Sequence, residues 1–194
     1  RRRRSGSFAV EILGKRLLSC PTAFAESWRR CKEGLAVADA AADVEVAAVE
    51  RTVRQETGDD RESQSREATA ASVVGAWLKA VAGDLSTEIG AIDKAVAEMG
   101  FDLSRNEIVS QNPEADSRFD AFISLVEELL LKNGAWREDE RLVVFTEYKT
   151  TLDYLVRRLR ERFEADRILI LFGGMDDKER DVVKVAFNDP ARTV

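Results

Sequence analysis

Arg141-Leu-Val-Val-Phe-Thr-Glu-Tyr-Lys149 and, beyond a basic amphipathic segment, Ile168-Leu-Ile-Leu-Phe-Gly-Gly-Met175 decide how this chain is read. Leu142–Phe145 and Ile168–Phe172 are short continuous apolar runs, the pattern of parallel strands covered on both faces. Each is followed by a segment of helical period, the second reaching Asn188. Strands alternating with crossover helices of this length predict a right-handed parallel βαβ sheet. Arg192-Thr193-Val194 opens another β-like run and stops at once. The unit is therefore expected to be cut within a larger domain.

Upstream of Gly134 the periodicity is helical. Phe8, Ile12, Leu13, Leu17 and Leu18 recur at helical spacing. Ser19 is the expected N-cap of the next helix, with Pro21 in its first turn, Phe24 and Trp28 on one face, and Gly34 as its stop. Ala36–Val53 is alanine-rich and reads as helix, whereas Thr57–Ser65, centred on Gly58-Asp59-Asp60, reads as a loop. Helices are predicted from Ala68 to Val81 and from Asp84 or Ser86 to about Gly100. Asp116 or Ser117 caps a strongly amphipathic helix containing Phe119, Phe122, Ile123, Val126, Leu129 and Leu130, which Asn133-Gly134 ends. The shift in composition divides a helical region, 1–134, from an α/β unit, 135–194.

The 194 residues are 44% hydrophobic and 34% charged, a balance suited to a helix-rich protein with amphipathic faces. A net charge of −6 argues against a general nucleic-acid coat but leaves room for a local basic face. No apolar run has the length of a membrane span, and a cytoplasmic location is expected. Histidine is absent, which removes Ser-His and Cys-His nucleophile pairs and His-containing metal sites. Cys20 and Cys31 cannot form a four-thiolate zinc site and are expected to be free, buried thiols. Arg1-Arg2-Arg3-Arg4, with no leading Met, reads as the start of a segment within a longer protein. A nucleic-acid or targeting arm is the other reading of that run.

Ligands of open α/β sheets bind beyond the C-terminal ends of the strands. That rule selects two loops, Thr146-Glu147-Tyr148-Lys149 and Gly173-Gly174-Met175. Thr150 with Asp153, and Asp176 with Glu179, have the spacing of capping boxes. The helix starts could receive phosphate, and the glycines allow close backbone approach. A cap and a glycine are also what any βα unit needs, so a purely structural role stands beside the functional one. Asp176-Asp177 reads as a cap plus a solvated face rather than a metal site. The helix expected from Thr151 to Phe163 carries Arg157, Arg158, Arg160 and Arg162 together with an apolar stripe of Leu152, Leu155, Val156 and Leu159. The arginines suit the C-terminal end of a helix dipole as well as they suit nucleic acid. No Gly-Lys-Thr/Ser phosphate loop occurs in the chain.

Three blocks together resemble the start of the second RecA-like domain of superfamily 2 helicases and translocases. The nearest likeness is to the Swi/Snf-like bacterial group of RapA-type and DISARM-type proteins. Asp116–Leu130 is similar to the helix leading into that domain. Leu142–Leu155 resembles motif IV and its helix. Leu171–Asn188 resembles the glycine turn and Arg-containing helix that follow. Leu17–Ala25 also looks like the Ser-Pro helix start after the first motor domain of this group. The resemblance implies a mostly helical N-terminal part followed by an incomplete RecA-like parallel βαβ unit, of α/β class. It implies a parent that uses ATP and Mg between two RecA-like lobes to move along nucleic acid, DNA ahead of RNA. By position, Thr146, Lys149, Gly173, Gly174 and Arg180 would contact the phosphate backbone. Arg180 has a rival role, an ion pair tying its helix to the sheet edge. The phosphate loop and arginine finger would lie outside this chain, which alone is expected to be inactive as an ATPase. The rival class is a helical protein-interaction module, with Trp28 and Trp77 as possible anchors or as core. A small α/β nucleotide-binding domain is a third reading, disfavoured by the missing phosphate loop.

Overall fold

A computed structural model describes residues 2–36, 43–55 and 59–189 of the chain. Outside these lie the β-like start at Arg192-Thr193-Val194, Thr57-Gly58 of the expected loop, and positions 37–42 of the alanine-rich stretch. The side chains of the four opening arginines lie outside as well. The chain forms two compact units, 1–114 and 115–194. It is mostly helical, with a single small sheet among the described residues.

The first unit contains α1 (Arg2–Ser19), α2 (Pro21–Ala36), α3 (Asp43–Val53), α4 (Asp60–Leu78), which tightens into a 3₁₀ turn at Lys79–Val81, and α5 (Ser86–Glu98). Its core gathers Phe8, Ile12, Phe24, Trp28, Cys31, Val46, Val74, Trp77, Val96 and Ile108. The two tryptophans offered by the sequence as partner anchors are thus both core residues. Pro21 is the first residue of α2, where a missing N–H costs little. The expected cap, Ser19, instead closes α1, and the Cys20 thiol takes over the capping role. Its Sγ accepts a hydrogen bond from the Ala23 N–H at 3.3 Å.

Gly34 does not stop α2. It lies inside the helix and faces α4 at a distance no side chain tolerates. A Cβ placed on Gly34 would stand 1.9 Å from the Ser72 carbonyl oxygen. One placed on Gly75 of α4 would stand 2.0 Å from the Cys31 carbonyl oxygen. The crossing is reciprocal: each helix presents a glycine to the backbone of the other. Cys31 Sγ donates to the Ala71 carbonyl at 3.2 Å within the same contact. Burial pushes the Cys31 thiol up to about 12, so it stays protonated and keeps this donor role.

Much of the expected loop over Thr57–Ser65 is helix. Asp59 accepts from the Arg61 and Glu62 N–H groups, and the helix starts at Asp60. Asp59-Asp60, which the sequence suggests as part of a break, is a helix start, because aspartate satisfies the first N–H groups of a helix. Side-chain ties complete the unit. Arg16 of α1 pairs with Glu67 of α4, both largely buried. Asp93 of α5 accepts from Trp28 Nε1 at 2.7 Å and from Lys32 Nζ at 2.6 Å. Between α5 and the second unit, Ser104 donates its N–H and hydroxyl to Asp102, which holds that carboxyl below its usual range.

The second unit contains α6 (Ser117–Leu130), the strand pair β1 (Leu131–Lys132) and β2 (Ala135–Trp136), α7 (Lys149–Arg160) and α8 (Asp177–Asn188). Asn133-Gly134, expected only to end a helix, makes a hairpin. The helix has already ended at Leu130, and β1 pairs antiparallel with β2, Leu131 opposite Trp136. Asn133 has φ 54° and Gly134 φ 79°, the two left-handed residues of a type I′ turn.

The predicted parallel strands are not seen as such. Among the described residues neither Leu142–Phe145 nor Ile168–Phe172 joins a sheet. A parallel strand needs a strand to pair with and cover on both faces. Here Val143 and Val144 are exposed, and Phe145 is 91% exposed. Strand propensity expresses itself only when the surrounding packing exists. The two runs instead border a cavity of about 160 Å³ with the apolar stripe of α7, including Leu152, Leu155, Val156 and Leu159, and with Phe122 and Val126 of α6.

Gly34→Ala and Gly75→Ala are each expected to destabilise the chain by about 2–3 kcal/mol or more, because backbone must retreat from backbone. Gly14→Ala, with nothing within 4 Å of its new Cβ, should be neutral or stabilising by up to ~1 kcal/mol. Urea unfolding followed by circular dichroism separates the two classes; equal midpoints for all three variants would dismiss the close crossing.

Candidate nucleic-acid interface

The site is built on the starts of α7 and α8. Asp116, as the sequence suggests, caps α6 by accepting from the Arg118 and Phe119 N–H groups, both at 3.1 Å. Its second oxygen accepts from the buried Tyr154 hydroxyl of α7 at 2.7 Å. Arg158 donates to the same hydroxyl at 3.0 Å and lays its guanidinium over Phe119, 4.3 Å from the ring centroid. Phe119 and Tyr154 meet edge to face at 5.9 Å. One carboxylate therefore caps one helix and anchors the next. Arg158 is committed to this network rather than to a solvated basic face, and Arg157 also lies over the Tyr154 ring. Arg160 and Arg162, by contrast, are exposed.

Lys149 is the first residue of α7, and the helix begins two residues earlier than the predicted box places it. Tyr148 occupies the cap position without a side-chain capping bond. The Thr150–Asp153 capping box is thus not formed: Thr150 is already inside the helix, and Asp153 pairs with the Lys149 ammonium four residues before it. Thr146 shapes the approach to the helix, accepting from the Tyr148 N–H at 3.4 Å through its hydroxyl. At α8 the predicted cap is present. Asp176 accepts from the Glu179 N–H at 2.8 Å.

Ahead of that cap, Met175 N donates to the Phe172 carbonyl at 3.5 Å, closing a turn over Gly173-Gly174. Gly174 has φ 89°, the conformation a type II turn requires at its third position. The Lys149 ammonium lies 5.1 Å from the centroid of the Phe172 ring. This contact brings together four of the five predicted residues: Thr146 and Lys149 at one helix start, Gly173 and Gly174 beside the other. Arg180 stands apart, half-buried one turn into α8. No ion pair of Arg180 is seen among the described residues.

Lys149, the glycine turn and the two helix starts are groups of the kind that hold anions. Among the described residues no three His, Cys, Asp or Glu side chains gather to hold a metal ion. No described helix is long and apolar enough to cross a membrane. Sequence reading missed the Lys149–Phe172 contact, whose partners lie 23 positions apart in number only. It also missed the Lys149–Asp153 pair, although opposite charges at i and i+4 in a helix are a legible signal. No protein family, curated protein or solved structure matches the chain.

Tyr154→Phe removes the hydroxyl from a buried carboxylate and a partly buried guanidinium. It is expected to lower stability by about 1–3 kcal/mol, with Asp116→Ala costing more because it also removes the α6 cap. Chemical denaturation of the two variants checks this, and an unchanged midpoint for Tyr154→Phe would show that the network contributes nothing.

Proposed function

We propose that this chain is part of an ATP-dependent nucleic-acid translocase of the superfamily 2, Swi/Snf-like type. It would supply inter-lobe helices and part of the backbone grip of the second RecA-like lobe. The observation that carries this reading is the meeting of the Lys149 ammonium with Phe172, next to Gly173-Gly174. It gathers, at one edge, the loops at which the resemblance expects phosphate contacts. A cation and a positive-φ glycine turn at two successive helix starts suit a chain of phosphates. In this reading Leu142–Phe145 and Ile168–Phe172 are strands of a RecA-like parallel sheet whose neighbours come from the rest of the parent. Their exposed apolar side chains support that reading, since such runs are stable only when covered.

In this reading ATP and Mg belong to the full-length parent rather than to this chain alone. The sequence holds no Gly-Lys-Thr/Ser loop. Nucleotide binding is therefore assigned to the first RecA-like lobe and the remainder of the parent. This chain's own contribution is to bind and orient the strand, DNA ahead of RNA.

A second reading, a protein-interaction module, is favoured by one feature of the first unit. Val10, Leu17 and Leu18 share a face of α1 and are all exposed. Scattered exposed apolar residues are ordinary, so this reading ranks below the first.

The chain alone should bind a single-stranded DNA oligonucleotide weakly and in a salt-sensitive way, and should not turn over ATP. Lys149→Ala and Arg180→Ala should each weaken binding by about three- to tenfold and lower the salt slope by about 1. Fluorescence anisotropy across a salt series reads both quantities. Tight binding that survives high salt, or a Lys149→Ala variant that binds like the parent, contradicts the proposal.

A further inference from the structure

Lys149 is the residue on which the proposed grip most depends, and it is not free. Its ammonium pairs with the Asp153 carboxylate, one turn along the same helix. Its other side is covered by the Phe172 ring, 5.1 Å from the centroid. The lysine side chain is only 17% exposed, while that of Asp153 is 49% exposed.

The placement is electrostatically awkward without an anion. Lys149 is the first residue of α7, at the positive end of the helix dipole, and Tyr148 provides no side-chain cap there. Lysine preceding an acid at i and i+4 is also the less favourable order for such a pair. Asp153 answers this only in part: it neutralises the ammonium but sits one turn into the helix rather than at its start. A phosphate oxygen arriving at the start of α7 could serve the ammonium and the helix start together.

We infer that Asp153 is an internal placeholder for phosphate. It holds Lys149 against Phe172 in a closed arrangement, and nucleic acid gains Lys149 only by displacing it. The inference rests on the phosphate-contact reading of Lys149. It adds a device that sets the threshold for binding and favours ligands with closely spaced phosphates over isolated anions. Half-exposed pairs of this kind are weak and screened by salt, so displacement is accessible to a polyanion.

Two measurements on the full 194-residue chain test it. The first needs no nucleic acid. Acetylation of Lys149 by a limiting acylating reagent, read by mass spectrometry, should be at least about twofold faster in Asp153→Asn than in the parent. Equal rates overturn the closed arrangement. The second is titration with a single-stranded DNA oligonucleotide at low salt. Asp153→Asn should bind about threefold tighter than the parent, and the gain should fall by half or more when Lys149→Ala is already present. A gain of the same size in the Lys149→Ala background reduces the effect to net charge and overturns the inference. Faster acetylation without tighter binding, while Lys149→Ala still weakens binding, leaves the grip in place and removes Asp153 as a placeholder. Absence of binding by every variant takes down the phosphate reading and the inference with it.

Discussion

The first unit depends on a backbone contact. Gly34 and Gly75 let α2 and α4 approach until the carbonyls of Ser72 and Cys31 occupy the space where side chains would be. At that separation no large residue can stand between the helices. The burial that follows falls on what flanks the crossing: Trp28 and Cys31 on α2, and Ala71, Val74 and Trp77 on α4. The other helices then take their places against this pair. Asp93 brings α5 to α2 through Trp28 and Lys32, and Arg16 brings α1 to α4 through Glu67. Close packing of this kind gains many small dispersion contacts, which loosening by even a fraction of an ångström forfeits.

The second unit is held differently. Its centre is polar: the Asp116 carboxylate serves two helices, and the Tyr154 hydroxyl accepts from Arg158 while donating to Asp116. Such a network is favourable only when every member is satisfied, and here aromatic faces shield it on the Phe119 side. The apolar stripe of α7 has less to pack against. It borders a cavity of about 160 Å³, flanked by two unpaired apolar runs. The contrast between a fully bonded polar joint and an incompletely filled apolar groove is what the RecA-like proposal explains most simply, because added strands would fill the groove.

The candidate interface joins these two facts. The polar joint fixes α7, which fixes Lys149. Lys149 in turn touches the turn that precedes α8. A phosphate grip placed there would be carried by rigid elements rather than by loose loops, and its cation would be available only in exchange for Asp153. Charge supplies the attraction in such an arrangement, and the backbone supplies the geometry.

Much of the local structure was legible in the sequence, for local physical reasons. Helical periodicity gave most helices, and the Asp116 and Asp176 caps follow from side-chain chemistry acting over three residues. The pairing of charge at Lys149 and Asp153 was equally local and was available to reading. The errors fell where one motif serves two physical purposes. Gly34 has the signature of a helix stop, yet its missing Cβ was needed for space. Asn133-Gly134 suits a helix end or a hairpin, and the residues after it decided. Gly58-Asp59-Asp60 has the composition of a loop, yet Asp59 caps a helix. The sequence by itself determined most of the helical segments, which runs are apolar, and that the chain carries no histidine chemistry. Only the tertiary structure decided that α2 and α4 cross backbone to backbone, that Asp116 joins α6 to α7, and that Lys149 meets Phe172. Those outcomes depend on contacts between residues distant in the chain, and periodicity carries no information about which distant faces meet.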